Sequence, residues 1–196
     1  MDITDIILAQ HDEQRRSFAA LEEWPRDDVE GLEAVWRRLA ILLENHAEAE
    51  ERYFFPELLK LGTGAADAPD AEEETDDAIG DHNNIRKAIR AADDATVGSD
   101  EWWQAVTDCN VYNSRHMGEE ERQDLADFRQ QASLQLRHDI AVQFLRFEAL
   151  HASGGITPKD KDPEEYVEKH ASDGPVDPSK TSGGTQRDSV QSGDDV

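Results

Sequence analysis

Histidine and glutamate interrupt an apolar stripe at matching places in the two halves of this chain. His11 is followed by His46-Ala47-Glu48-Ala49-Glu50, and His82 is followed by His116-Met117-Gly118-Glu119-Glu120. The offsets are 82 − 11 = 71, 116 − 46 = 70 and 120 − 50 = 70 residues, so the pattern is duplicated. On a helix, residues four apart share a face about one turn apart, and each histidine and its glutamate aim at one point. Two such helices facing two single-histidine helices bring four imidazoles and two carboxylates into one bundle core. A bundle core is a usual place for a cofactor.

Helical periodicity supports that arrangement along the first 130 residues. Ile3, Ile7, His11, Phe18 and Leu21 fall on one face, which predicts a first helix from Ile3 to Glu23 that stops near Pro25. A second helix starts at Asp27 or Asp28, both good caps, with a seam of Leu32, Val35, Leu39, Leu42, His46, Glu50 and Tyr53. His46 and Glu50 thus stand where a bundle would normally place leucine or alanine, and a carboxylate buried there without a partner costs several kcal/mol (roughly). Something has to compensate it. Residues 62–70, GTGAADAPD, read as a loop. The acidic run Glu72 to Asp77 reads as a first helical turn whose charges favour the positive end of the helix dipole. A third helix then carries Ala78, His82, Ile85, Ile89 and Ala92 on one face. Gly98-Ser99 breaks the chain, and a fourth helix presents Trp102, Val106, Cys109, Asn113, His116 and Glu120.

Residues 1–130 are therefore expected to form one bundle. Polar residues from Glu121 to Gln131 separate it from an additional helix in residues 131–151, from Leu134 to His151, whose Ile140, Phe144, Phe147 and Leu150 are expected to pack outside the bundle. Residues 152–196 are rich in Gly, Ser, Asp and Pro and are expected to be a largely disordered, flexible acidic tail. Within it, Asp162-Pro163-Glu164-Glu165 has the cap, first-turn proline and acids of a short helix leading to Tyr166 and Val167.

Charge narrows the partners. With 20 basic and 45 acidic residues the formal charge is −25, which disfavours nucleic acid and anionic membrane as partners. Mean hydropathy is −0.79, and the acidic load with only six lysines matches a halophile-like protein surface, where counterions screen self-repulsion. One cysteine, Cys109, excludes an internal disulfide framework and reads as a small core residue. The apolar run near the start is too short for a signal peptide or membrane span, and the expected location is cytoplasmic.

A single histidine on an apolar face is usually a hydrogen-bonded core residue. Four of them on four helices, two with a glutamate four residues on and all repeating at one offset, point instead to a metal site. His138, His151 and His170 lie outside the pattern and read as structural or surface residues. Glu148-x-x-His151 is one copy of a carboxylate-histidine motif that di-iron proteins need twice. Trp36, Trp102 and Trp103 read as packing. Nitrogen and oxygen donors without sulfur suit iron, manganese or zinc, with manganese and zinc less favoured only once the resemblance described next is taken into account.

The strings ILAQHDEQRR, LENHAEAEERYFFPEL, IGDHNNIR and NSRHMGEEER resemble the hemerythrin-like (HHE cation-binding) domain family, over roughly Met1 to Gln130. The resemblance implies an all-α fold, an antiparallel up-down four-helix bundle, around two non-haem iron ions that are oxo- or hydroxo-bridged. It implies His11, His46, His82 and His116 as terminal ligands and Glu50 and Glu120 as bridges. Glu51, about 100° further round the helix, is an alternative to Glu50. Tyr53 and Asn113 are candidates to orient the imidazoles, with packing or bundle hydrogen bonding the commoner role for such residues.

The departures from the family bear on function. Oxygen-carrying hemerythrins have a second histidine four residues after the one on the third helix, where this chain has Arg86, and their last carboxylate is an aspartate five residues after its histidine. One fewer histidine leaves positions for dioxygen, nitric oxide, peroxide or water, and puts sensing or redox chemistry beside carriage. The favoured expectation is a di-iron module that binds or senses dioxygen, nitric oxide or cellular iron. An oxidoreductase handling peroxide or nitric oxide, or an iron donor for iron-sulfur cluster repair, is the alternative. Repair relatives usually carry a cysteine-bearing N-terminal segment, and here ten residues precede His11, which counts against that version. A helical interaction protein without metal is the third reading.

Overall fold

The computed structural model describes residues 1–171, and every regular element among them is helical. The helices are α1 (Ile3–Glu23), α2 (Val29–Ala49), a π-helical turn (Glu50–Phe54), α3 (Phe55–Leu61), α4 (Ala71–Asp94), α5 (Asp100–Arg122), α6 (Asp124–Gln131), α7 (Leu134–His151) and α8 (Pro163–Ala171). Their starts are fixed by short polar side chains that satisfy otherwise orphaned amides. Asp2 accepts from Thr4, Asp28 from Gly31, Asp70 from Glu72 and Glu73, Ser99 from Trp102, and Ser133 from Leu136. Gly98, at φ 83°, makes the turn between α4 and α5 in a conformation few other residues adopt.

Helix α1 packs on α2, and α4 packs on α5; α1 also meets α5, and α2 meets α4. These four long helices share two apolar clusters. One gathers Ile3, Ile7, Phe54, Phe55, Leu58, Ile79, Leu125 and Phe128 together with Ile140, Phe144 and Phe147 of α7. The other gathers Phe18, Leu21, Leu32, Trp36, Leu39, Leu43, Ile85, Ile89, Trp102, Val106 and Cys109. The histidines fall at the junction. His11 lies between Ile7 and Phe18 along α1, and His82 between Ile79 and Ile85 along α4. A polar layer is thus sealed on both sides by hydrocarbon.

Several details differ from the sequence expectation. On α2, Val35 and Leu42 are only half-buried, while Trp36 and Leu43 are buried in their place. A 3.6-residue period lets either neighbour face the core, and the larger Trp36 takes it, stacked edge-on against Trp102 at 6.0 Å with its Nε1 donating to Asp93 Oδ1 at 3.0 Å. Leu150 is 70% exposed, whereas Ile140, Phe144 and Phe147 are buried. The stretch after Glu121 is not a mere polar connector. It contains α6, which buries Leu125 and Phe128 and also the carboxylates of Asp124 and Asp127. Asp127 accepts from the amides of Thr63 and Gly64 at 2.6 and 2.9 Å, and so ties α6 to the loop before α4. Helix α8 docks on α3 and α4 with Tyr166 and Val167 buried. The part of the expected tail beyond residue 171 lies outside the described residues.

Candidate metal centre

The chemistry of α2 changes where Pro56 follows it. Proline has no amide hydrogen to give to the carbonyl four residues back, so the regular ladder cannot continue through it. The chain answers with the wide turn Glu50–Phe54, in which the amide of Phe55 reaches back to Glu50 O. Single π turns of this sort are common at functional sites. Here the turn follows His46 and carries two adjacent buried carboxylates, Glu50 and Glu51.

All six residues singled out from the duplicated pattern are buried, and the fold brings them together: His11 0%, His46 2%, Glu50 0%, His82 1%, His116 2% and Glu120 1% exposed. Glu50 Oε1 lies 2.9 Å from His46 Nε2, and Glu50 Oε2 lies 3.3 Å from His82 Nε2 and 3.9 Å from His116 Nε2. Glu120 Oε2 lies 3.1 Å from His11 Nε2 and 3.6 Å from His116 Nε2. Two groups result, each with donor atoms within 4.8 Å of one another: His11, His46, Glu50 and Glu120, and Glu50, His82 and His116. Glu50 belongs to both.

His82 Nε2 and His116 Nε2 lie 3.1 Å apart and pair with each other, but the remaining atoms approach without pairing. Both oxygens of Glu50, both of Glu120, and Nε2 of His11 and His46 are buried and have no hydrogen-bond partner. Buried polar atoms are nearly always satisfied, and an unpaired buried charge costs several kcal/mol (roughly). Six unpaired donor atoms, from α1, from α2 with its π turn and from α5, converge in this layer and fit a cation, which would take up their lone pairs.

The outward nitrogens of three imidazoles are held. His11 Nδ1 lies 2.9 Å from Glu121 Oε1, His46 Nδ1 2.6 Å from Gln10 Oε1, and His82 Nδ1 2.8 Å from Glu51 Oε1. A carboxylate or amide oxygen there fixes the tautomer so that Nε2 faces inward with its lone pair, the usual support of a metal-bound histidine. Gln10 in turn donates to Glu148, and Arg15 binds Glu121 at 2.6 Å. Phe144 stands edge-on to His46 and Phe55 is tilted against His82, each at 5.9 Å, so hydrocarbon closes the flanks.

Electrostatics follow this layout. Burial works against the charge on Glu50, but His46 and His82 outweigh it and hold its carboxyl well below the usual range. Burial, with Glu50 nearby, pushes Glu120 up. Burial opposes charge on His11 and His82 too, yet the adjoining glutamates raise both to about 9. For His116, burial and the neighbouring His82 act together and push it well down.

The supporting residues are the ones sequence reasoning missed or undervalued. Glu51 is not an alternative donor to Glu50. It faces away from the centre, and His82, Arg86 and Lys161 outweigh its burial to hold it down at about 2. Tyr53 packs on Phe147, with ring centroids 6.2 Å apart, and Asn113 donates to Gln14 Oε1 at 3.0 Å; neither is the residue that supports an imidazole described above. A signal for the true partners was present: both copies read Glu-Glu, Glu50-Glu51 and Glu120-Glu121, again 70 residues apart. The second glutamate of each pair supports the lone histidine of the other half. No comparable signal marks Gln10 or Lys161.

An all-helical protein with a buried, duplicated histidine and glutamate layer belongs to the class of helical cation-binding domains. A comparison with protein families is more specific: residues 2–127 match the hemerythrin HHE cation binding domain, and the chain belongs to that family. Comparisons with curated proteins and with solved structures give no match. Among the described residues no helix is long and apolar enough to cross a membrane.

Proposed function

We propose that the chain is a non-haem di-iron module that binds or senses dioxygen, nitric oxide or cellular iron. In this reading α1, α2, α4 and α5 form an antiparallel up-down four-helix bundle over residues 1–130, with α7 added outside it. His11 and His46 would hold one iron and His82 and His116 the other, with Glu50 and Glu120 as the carboxylates that would be shared between them. The observation that carries it is the convergence of six unpaired, buried donor atoms, with Glu50 turning one oxygen to each group. Iron as the metal rests on the family; the donor set itself also suits manganese or zinc.

Bound iron would supply electrons and open coordination positions for a diatomic ligand or peroxide. The protein's part is to fix the imidazoles through Gln10, Glu51 and Glu121, to balance cationic charge with two carboxylates, and to exclude water with Phe55 and Phe144. A second reading, an oxidoreductase acting on peroxide or nitric oxide, draws on the unequal groups. Glu120 Oε2 lies nearer His11 (3.1 Å) than His116 (3.6 Å), so its hold on the second metal would be the weaker and that metal the more open to an outside ligand. The formal charge of −25 supports a protein that does not bind nucleic acid or anionic membrane.

Elemental analysis of the purified protein, with absorption spectra taken without oxygen and after admitting air, tests this. Close to two irons per chain and a near-ultraviolet charge-transfer band on oxidation are expected. Reversal of the band on removing oxygen marks a carrier, a lasting band marks a sensor or oxidoreductase, and sustained consumption of peroxide marks the oxidoreductase. His46→Ala combined with His116→Ala should abolish metal loading. Full metal content in that variant would refute the site.

A further inference from the structure

The segment that leads into α8 does more than cover an apolar face. Arg90 grips Asp160 with both guanidinium arms at 3.0 and 2.8 Å. The Asn83 side chain pairs with the backbone of Lys161 in both directions, donating to its carbonyl at 2.6 Å and accepting from its amide at 3.1 Å. Both anchors are on α4, Asn83 next to His82 and Arg90 about two turns further on. Thus clamped, Lys161 sends its Nζ inward to Glu48 Oε2 at 2.9 Å and to Glu51 Oε2. Asp162 caps α8 by accepting from Glu165 at 2.9 Å, and Tyr166 donates its hydroxyl to the carbonyl of Glu51. The C-terminal segment therefore holds both the side chain and the backbone of Glu51.

Glu51 is the residue that holds His82. Its Oε1 meets His82 Nδ1, and Arg86 Nη2 reaches both carboxylate oxygens at 2.8 and 2.9 Å. Arg86 is itself 1% exposed. Outside lies a cavity of about 500 Å³ lined by Glu48, Glu51, Lys161 and Tyr166 among others. With Lys161 withdrawn, water in that cavity could solvate Glu51 and draw it away from the imidazole. The other lone histidine, His11, depends on Glu121 and Arg15, and α8 takes no part there.

We propose that Asp160–Ala171 is a strap that positions His82 through Glu51, so that a cation held by Glu50, His82 and His116 is retained tightly only while the strap is docked. This rests on the metal reading above. Lys161 and Tyr166 are positioning residues, and so is Arg86. Retention of the cation held by His11, His46, Glu50 and Glu120 does not depend on the strap. The duplicated site is thereby made unequal: the His82 half draws support from Asp160–Ala171, and the His11 half does not.

The test uses the whole chain and Lys161→Met, Lys161→Arg and Tyr166→Phe variants, each loaded with ferrous iron or zinc alone and challenged with graded chelator. Loss of the partner that orients a ligand typically weakens metal binding about 10- to 100-fold. Lys161→Met is expected to give up one equivalent at about tenfold or more lower chelator than the parent, to keep the other unchanged, and to retain its helical circular dichroism. Lys161→Arg should restore both. Equal release of both equivalents, or no change in either, would overturn the proposal. A second measurement is independent of metal: in the metal-free protein, the Nδ1 proton of His82 should give a protected low-field NMR signal that is lost to solvent exchange in Lys161→Met and recovered in Lys161→Arg. A parent protein that bound no metal would sink the metal reading alone. An unchanged His82 signal in Lys161→Met would sink the strap.

Discussion

Replacing Glu120 by glutamine should change the sign of its effect with metal. Glu120 is 1% exposed, both of its oxygens are unpaired, and burial with Glu50 nearby pushes its carboxyl up even though His11 lies 3.1 Å away. Without metal the glutamate is therefore a burden on the fold. Glutamine has the same shape and no charge to desolvate, and His11 retains Glu121. Relief of part of a buried-charge penalty should stabilise the metal-free protein by about 1–2 kcal/mol. At roughly 2–4 °C per kcal/mol for a chain of this size, the melting temperature should rise by about 2–8 °C. With metal the order reverses. A cation at a hundred times its dissociation constant adds about 2.7 kcal/mol to the parent, and a neutral amide in place of a carboxylate forfeits much of that gain. Thermal unfolding followed by circular dichroism, with chelator and then with ferrous iron or zinc, reads both signs. If Glu120→Gln lowered stability by the same amount in both conditions, Glu120 would be an ordinary ion-pair partner of His11. Its unpaired oxygens would then not mark a cation site.

Further outcomes follow from other buried groups. Burial, with Asp127 nearby, raises Glu74 from an ordinary 4.5 to about 7, so the folded state binds the extra proton between those values; the stability it contributes is full below pH 4.5 and lost as pH rises through 7. Glu74→Gln, which keeps an acceptor for the Ala65 amide, should match the parent near pH 5 and exceed it by about 1–2 kcal/mol at pH 8 in urea unfolding, and an equal difference at both pH values would refute this. Cys109 is fully buried, and burial pushes its thiol up, so alkylation of the native protein should be slow and track the unfolding rate; rapid labelling under native conditions would contradict the packing.

The long helices and the donor layer were legible in the sequence because both are periodic. Ile3 to Glu23 could be bounded from apolar spacing and Pro25, and the six donors stood out because each replaced an apolar residue at a repeated offset. The buried face of α2 was less legible, since Val35 and Trp36 both fit the period and only side-chain packing chooses between them. Short α6 escaped because its buried positions are as much aspartate as leucine. Asp124 and Asp127 carry no apolar pattern, and their burial depends on partners such as the Thr63 amide, more than sixty residues away. Lys161 was illegible for the same reason at longer range. Nothing in its neighbourhood announces a buried carboxylate 110 residues earlier.

Duplication and asymmetry are then separate facts with separate causes. The repeat supplies two lone histidines, two histidine-glutamate turns and two supporting glutamates, and a pair of equal halves would follow if nothing else intervened. Two departures intervene. The first copy runs into the wide turn Glu50–Phe54 ahead of Pro56, and Glu51 is buried there, whereas its counterpart Glu121 is half-buried and satisfied by Arg15. A buried carboxylate needs more compensation than an exposed one, and Arg86 and Lys161 provide it. Arg86, one turn after His82 on α4, meets both oxygens of Glu51 and is needed to neutralise it. Restoring a histidine at position 86 would therefore not simply recreate a carrier's site. It would leave Glu51 with Lys161 as its remaining full charge partner and loosen His82 while adding a donor beside it. Arg86→His should therefore weaken the hold on His82 more than an added imidazole compensates, because Arg86 meets both oxygens of the carboxylate that orients it.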